Sequence, residues 1–147
     1  MLISLSGTRI AGVFEVAADA ELPEVVAGLD GTDPARVRAV LIGGWHGTWI
    51  SGLALPGAAL SAKGLRHLHA VPGAGVVRVL PHGECGLRVT AEIARAARLV
   101  EGRGACHHPD GTARMARSAP EVFADEVARH RHGHCIAAAP ARTGALR

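Results

Sequence analysis

The sequence predicts an α+β fold, a small sheet domain followed by a short helical one. Three observations carry that reading. Short apolar runs punctuated by glycine fill residues 1–80, and helical spacings of three and four take over from Gly86. Apolar residues make up 48% of the 147, enough for a real core in one ordinary domain or two small ones.

In chain order, Leu2-Ile3-Ser4-Leu5 and Val13-Phe14-Glu15-Val16 are brief strands, joined by turn material at Ser6-Gly7 and Gly12. Asp19 is placed to cap a short helix carrying Leu22, Val25, Val26 and Leu29 on one face, and Asp30-Gly31 ends it. Val37 to Ile42 is an apolar strand running into Gly43-Gly44. A second helix is expected from Ser61 to about Leu68, and Val76 to Leu80 forms a last strand. Strands mixed with one or two short helices fit a β-grasp type sheet over residues 1–80.

From Gly86 the stripe Val89, Ile93, Ala97, Val100 reads as one helix, broken at Gly102-Arg103-Gly104. Asp110 is placed to cap a helical turn from Thr112 to about Arg117. Ser118-Ala119-Pro120-Glu121 has the pattern of a capping box, with proline in the first turn of a helix that turns Val122, Phe123 and Val127 inward. That helix dissolves near Gly133. Residues 81–137 thus form a short helical domain, and 138–147 a flexible tail.

Composition excludes several functions. The net charge of +3 is spread along the chain, and Phe14, Trp45, Trp49 and Phe123 do not alternate with arginines. A surface stacking on single-stranded nucleic acid needs that interleaving, so no nucleic acid is expected as a partner. No run of eighteen apolar residues exists, so no transmembrane segment is expected, and the first residues lack the pattern of a secretory signal. Three cysteines without an export signal read as reduced thiols in the cytoplasm. The chain carries no Gly-x-Ser-x-Gly elbow, no phosphate loop and no dinucleotide fingerprint.

Three clusters remain as candidates for chemistry. In Gly43-Gly44-Trp45-His46-Gly47-Thr48-Trp49, glycines let the backbone approach a partner, and two tryptophans flanking a histidine could line a shallow cofactor or ligand site. A tight turn with packed indoles is the plainer alternative. The second cluster is Gly102 to Gly111, where Arg103 and a following helix N-terminus favour Cys106 as a thiolate, the form that ligates metal. The third is His130-Arg131-His132-Gly133-His134-Cys135. With Cys106, His107 and His108 it could make a zinc site. The spacing matches no common zinc module, and a solvated helix end with histidines near the negative terminus is the simpler account.

The segments GGWHGTW, GAGVVRVLPHGECG and GRGACHHPDGTARMARSAPEVFADEVARHRHGHC together resemble the C-terminal half of the flavin- and iron–sulfur-containing F-type subunit of NADH dehydrogenase (respiratory complex I), nearest to its stand-alone bacterial relatives. SLSGTRIAGVFEVAADAELPEVV is similar to the SLBB (soluble-ligand-binding β-grasp) domain of those proteins. The resemblance implies an SLBB domain followed by the helical domain that holds a four-iron cluster, in a family of NADH:quinone oxidoreductases using FMN and a 4Fe-4S cluster. Cys106 matches the last cluster cysteine and is the residue the resemblance marks as a metal ligand. The Cys-x-x-Cys-x-x-Cys triplet is absent, as is the flavin domain, the chain beginning where the SLBB domain begins. Cys85 and Cys135 match no cluster position and read as structural. Loss of the cluster helices leaves apolar faces on residues 86–100 and 119–130 that ask for a partner.

The expectation is a fragment or degenerate paralogue of the electron-transfer subunit, cytoplasmic, with no cofactor of its own. The alternatives are an SLBB module that binds a ligand or docks on a flavoprotein or other dehydrogenase subunit through GGWHGTW, and a Cys/His zinc-binding protein.

Overall fold

The structure, a computed structural model, describes residues 1–92 and 109–137. Five strands, β1 (Leu2–Ser6), β2 (Gly12–Glu15), β3 (Val37–Ile42), β4 (Thr48–Ser51) and β5 (Val76–Pro81), form one mixed sheet in the order β2-β1-β5-β3-β4. Only the central β1–β5 pair is parallel; every other neighbouring pair is antiparallel. Helix α1 spans Leu22–Asp30, α2 begins at residue 86 and is described to 92, and α3 (Pro109–Val122) and α4 (Ala124–Arg131) close the described chain. The fold is therefore α+β, as its patterning predicts.

Each face of the sheet has its own core. Ile3, Leu5, Val40, Ile42, Ile50, Val77 and Val79 point to one face, where Leu22, Val25 and Val26 of α1 meet them. The remaining cover on that face comes from the irregular stretch after β4, which buries Leu55, Ala58, Leu60, Leu65 and Ala70. On the other face, Ala39, Leu41, Trp49 and Leu80 pack against Met115, Ala119 and Phe123, with Leu87 and Val89 of α2 at the margin. The described parts of 86–100 and 119–130 thus spend much of their apolar surface on the sheet.

A bulge links the two cores. Val37 pairs with Pro81 and Ala39 with Leu80, so β3 gains a residue at Arg38. Val37 joins the first core while Ala39 and Leu41 join the second. The extra residue breaks the alternation and turns Arg38 toward α4.

Four local expectations are corrected. Asp19 does not cap α1: Glu21 holds the N-cap position, and the Leu22 amide donates to Ala58 O at 2.8 Å, so a neighbouring segment satisfies the helix start. Residues 61–68 form turns ending in one 3-10 turn at Arg66–Leu68 rather than a helix. There the Ser61 hydroxyl accepts from the Gly64 amide, offering the backbone a turn instead. Ser118 starts no helix; it lies inside α3, its hydroxyl donating to Met115 O and accepting from the Trp49 amide. Pro120 sits in the last turn of α3, not the first turn of the next helix, and α3 ends two residues later at Val122, with the Phe123 amide still donating to Ala119 O. Phe123 interrupts the helix before α4 begins. The fourth is a strand the sequence hides: the turn expected over Gly43–Trp49 stops at Gly47, and Thr48–Ser51 is β4. Among the described residues, no helix is long and apolar enough to cross a membrane.

Candidate functional site

Three segments converge where β5 hands over to α2. Cys85 follows the turn after β5 and is buried. Its neighbour Gly86 lies against the Phe123 ring, where an added Cβ would come within 2.3 Å of ring carbons. Only a residue without a side chain allows that approach, and the approach brings Cys85 to α4.

His130 occupies the last turn of α4, half-buried. Beyond it, Gly133 takes a left-handed φ of 76°. The amides of His132 and His134 donate to Arg129 O, and that of Gly133 donates to His130 O, so the chain curls back over the helix end. This return places the exposed Cys135 beside His130. Cys85 Sγ lies 3.3 Å from His130 Nε2, and the donor atoms of Cys85, His130 and Cys135 all lie within 4.8 Å of one another.

A buried ion pair stands behind the trio. Glu126, fully buried on α4, puts Oε1 2.6 Å from Arg38 Nε. The charges touch, though neither atom is aligned for a hydrogen bond. Arg38 Nη2 also donates to both oxygens of Asp125 at 2.8 Å. The other Glu126 oxygen accepts a long bond, 3.4 Å, from the Leu87 amide. Burial, reinforced by the Glu126 carboxylate and the Cys135 thiol, pushes the Cys85 thiol up from 9.0 to about 12, against a backbone hydrogen bond from Arg88. Free of other ligands, Cys85 is a protonated thiol and a poor nucleophile.

No protein-family model matches the chain, and no curated protein matches it. The donors themselves limit the chemistry. Two sulfurs and one imidazole nitrogen suit a thiol–imidazole hydrogen bond, a disulfide or a soft divalent ion. They do not fit a four-iron cluster, which takes four thiolates where the described residues bring two together.

The sequence-predicted candidates lie elsewhere. Gly43, Gly44, Trp45, His46 and Gly47 build the β3–β4 connection, a 3-10 turn at Gly44–His46. Gly43 and Gly44 have φ of 91° and 75°, and a Cβ on Gly47 would meet Ile42 O at 2.0 Å. These glycines meet the steric demands of the turn. Trp49 lines no shallow site: it is buried against Phe123, ring centroids 5.1 Å apart in an edge-on pair. Cys106, with His107 and His108, lies outside the described residues. Of the tail residues considered with them, His130 and Cys135 join the trio, while His132 and His134 stay exposed beside it. The partner they find is Cys85, forty-five residues before His130. A legible hint existed: a cysteine just past a glycine that ends a histidine-bearing helix returns to that helix's last turn.

Proposed function

We propose that the chain is a non-redox relative of the F-type NADH dehydrogenase subunit, an SLBB-like β-grasp module that docks on a flavoprotein partner. The strand order β2-β1-β5-β3-β4, with its parallel central pair and α1 across one face, carries this reading. It is the arrangement expected of a β-grasp sheet, followed by helices in the order that the resemblance implies. The donor set at the sheet–helix junction supports a role without electron transfer, since two thiols and an imidazole are a poor cradle for a four-iron cluster.

Docking is supported on the face of the β1–β2 hairpin turned away from α1. Leu2, Ser4, Val13 and Glu15 share that face by register, and Leu2 and Val13 are 66% and 67% exposed. Exposed apolar residues grouped on a sheet edge suit an interface.

Mixing the purified chain with the flavin domain of an F-type NADH dehydrogenase tests the reading by size exclusion. Co-elution is expected, and Val13→Asp should abolish it while leaving the circular dichroism spectrum unchanged. A four-iron absorbance band in anaerobically purified protein, or no co-elution at micromolar concentrations of both partners, would sink it.

A further inference from the structure

We propose that Cys85, His130 and Cys135 bind one zinc ion, which clamps the end of α4 and the following tail onto the β5–α2 junction. The donor types come first. Thiolate and imidazole are the ligands zinc takes in proteins, and a set of two sulfurs and one nitrogen is an established catalytic type with its fourth position open.

The geometry is close to what such an ion needs. Zinc–sulfur bonds of about 2.3 Å and zinc–nitrogen bonds of about 2.0 Å at tetrahedral angles put sulfur and nitrogen about 3.5 Å apart. The Cys85–His130 separation is 3.3 Å. Two sulfurs on one tetrahedral zinc stand about 3.8 Å apart, and every pair in the trio already falls within 4.8 Å. The difference, at most about an ångström, can be taken up by Cys135. That residue is exposed and lies two positions beyond the left-handed Gly133.

The surroundings complete the site. Two thiolates cancel the charge of the ion, so the bound unit brings no net charge to the buried position of Cys85. Arg38 neutralises the neighbouring Glu126. Among the described residues the fourth position belongs to solvent or an incoming ligand, on the side where Cys135 is exposed. Zinc binding would displace the thiol protons, releasing them to buffer as the two sulfur–zinc bonds form, with no change in oxidation state.

The test uses the full chain, purified with a reductant, and zinc alone as the ligand. One bound equivalent is expected by metal analysis, and cobalt(II) in its place should give the intense visible bands of a tetrahedral thiolate site. In the zinc form the exposed Cys135 should resist a thiol reagent that modifies it in the metal-free chain. Cys135→Ser, at an exposed position, and His130→Ala, at a half-buried one in the last turn of α4, should each lose the bound equivalent while keeping the circular dichroism spectrum. His132→Ala should retain it. Cys85→Ser is the less informative variant, because Cys85 is buried and the change can unfold the helical layer. Zinc retained in both Cys135→Ser and His130→Ala overturns the proposal. So does a wild-type chain that takes up no zinc, or one that holds a Cys85–Cys135 disulfide in the presence of reductant. None of these outcomes depends on flavoprotein docking, so each reading can fail without the other.

Discussion

The two faces of the sheet are stabilised in different ways. The α1 face is an aliphatic core of sixteen buried residues drawn from four strands, one helix and a long irregular stretch. Among the described residues the opposite face buries seven, and these include large single pieces: the Trp49–Phe123 pair and Met115, with polar clamps at Arg38, Ser118 and Glu126. An aliphatic core spreads its stabilisation over many replaceable side chains. A small core fastened by directional contacts concentrates it at a few positions, so single substitutions there act sharply and locally.

The strongest test of that contrast is Phe123→Ala. It should cost about 3–5 kcal/mol in the helical layer, and hydrogen exchange should rise in α3 and α4 while β1 and α1 stay protected. Leu60→Ala, in the α1-face core, should instead cost about 2–5 kcal/mol of global stability, read as a lowered denaturant midpoint for every probe together. Equal loss of protection on both faces after Phe123→Ala would show that the layers unfold as one.

Next is the buried ion pair. Glu126→Ala leaves the Arg38 guanidinium held by Asp125 alone and should destabilise by about 1–3 kcal/mol by denaturant unfolding. The double variant Arg38→Met with Glu126→Leu removes both charges and should recover most of that loss. If the double variant is as unstable as the single, the pair contributes more than desolvation balance allows.

Ser118→Ala should cost about 1–3 kcal/mol, because the buried Trp49 amide loses its acceptor. Tryptophan fluorescence during unfolding reports on the same place.

The smallest effect belongs to Asp125. The Arg38 guanidinium holds its carboxyl below the usual 3.8, chiefly by hydrogen bonding. A lowered folded-state value stabilises above the unfolded value, and that contribution is lost as pH falls through the folded one. Because the side chain is 54% exposed, the contribution is about 0–1 kcal/mol. Asp125→Asn should therefore matter little at neutral pH and remove a small part of the acid sensitivity below about pH 4.

Much of the sheet was legible from the residues. The Val37–Ile42 strand coincides with its expected span, the strands at Leu2 and Val76 run one residue longer at their ends, and the strand at Val13 is shifted one residue toward the N-terminus. The stripe Leu22, Val25, Val26, Leu29 marked α1, with three of the four fully in the core and Leu29 at its edge. β4 escaped because Trp49 and Ile50 are buried on opposite faces, which erases the alternation that marks a half-exposed strand. The trio of Cys85, His130 and Cys135 escaped for a different reason: no spacing rule joins residues forty-five apart.

Taken alone, the sequence determined the α+β class, four of the five strands, the α1 stripe and the change of rhythm near Gly86. These are local matters, set by which neighbours in the chain must turn toward a core. The tertiary structure alone decided that Arg38 bulges toward α4, that Gly86 lies beneath Phe123, and that two cysteines and a histidine share one corner. Such meetings depend on how separate elements pack across closed loops, and residue order within any one element does not specify them.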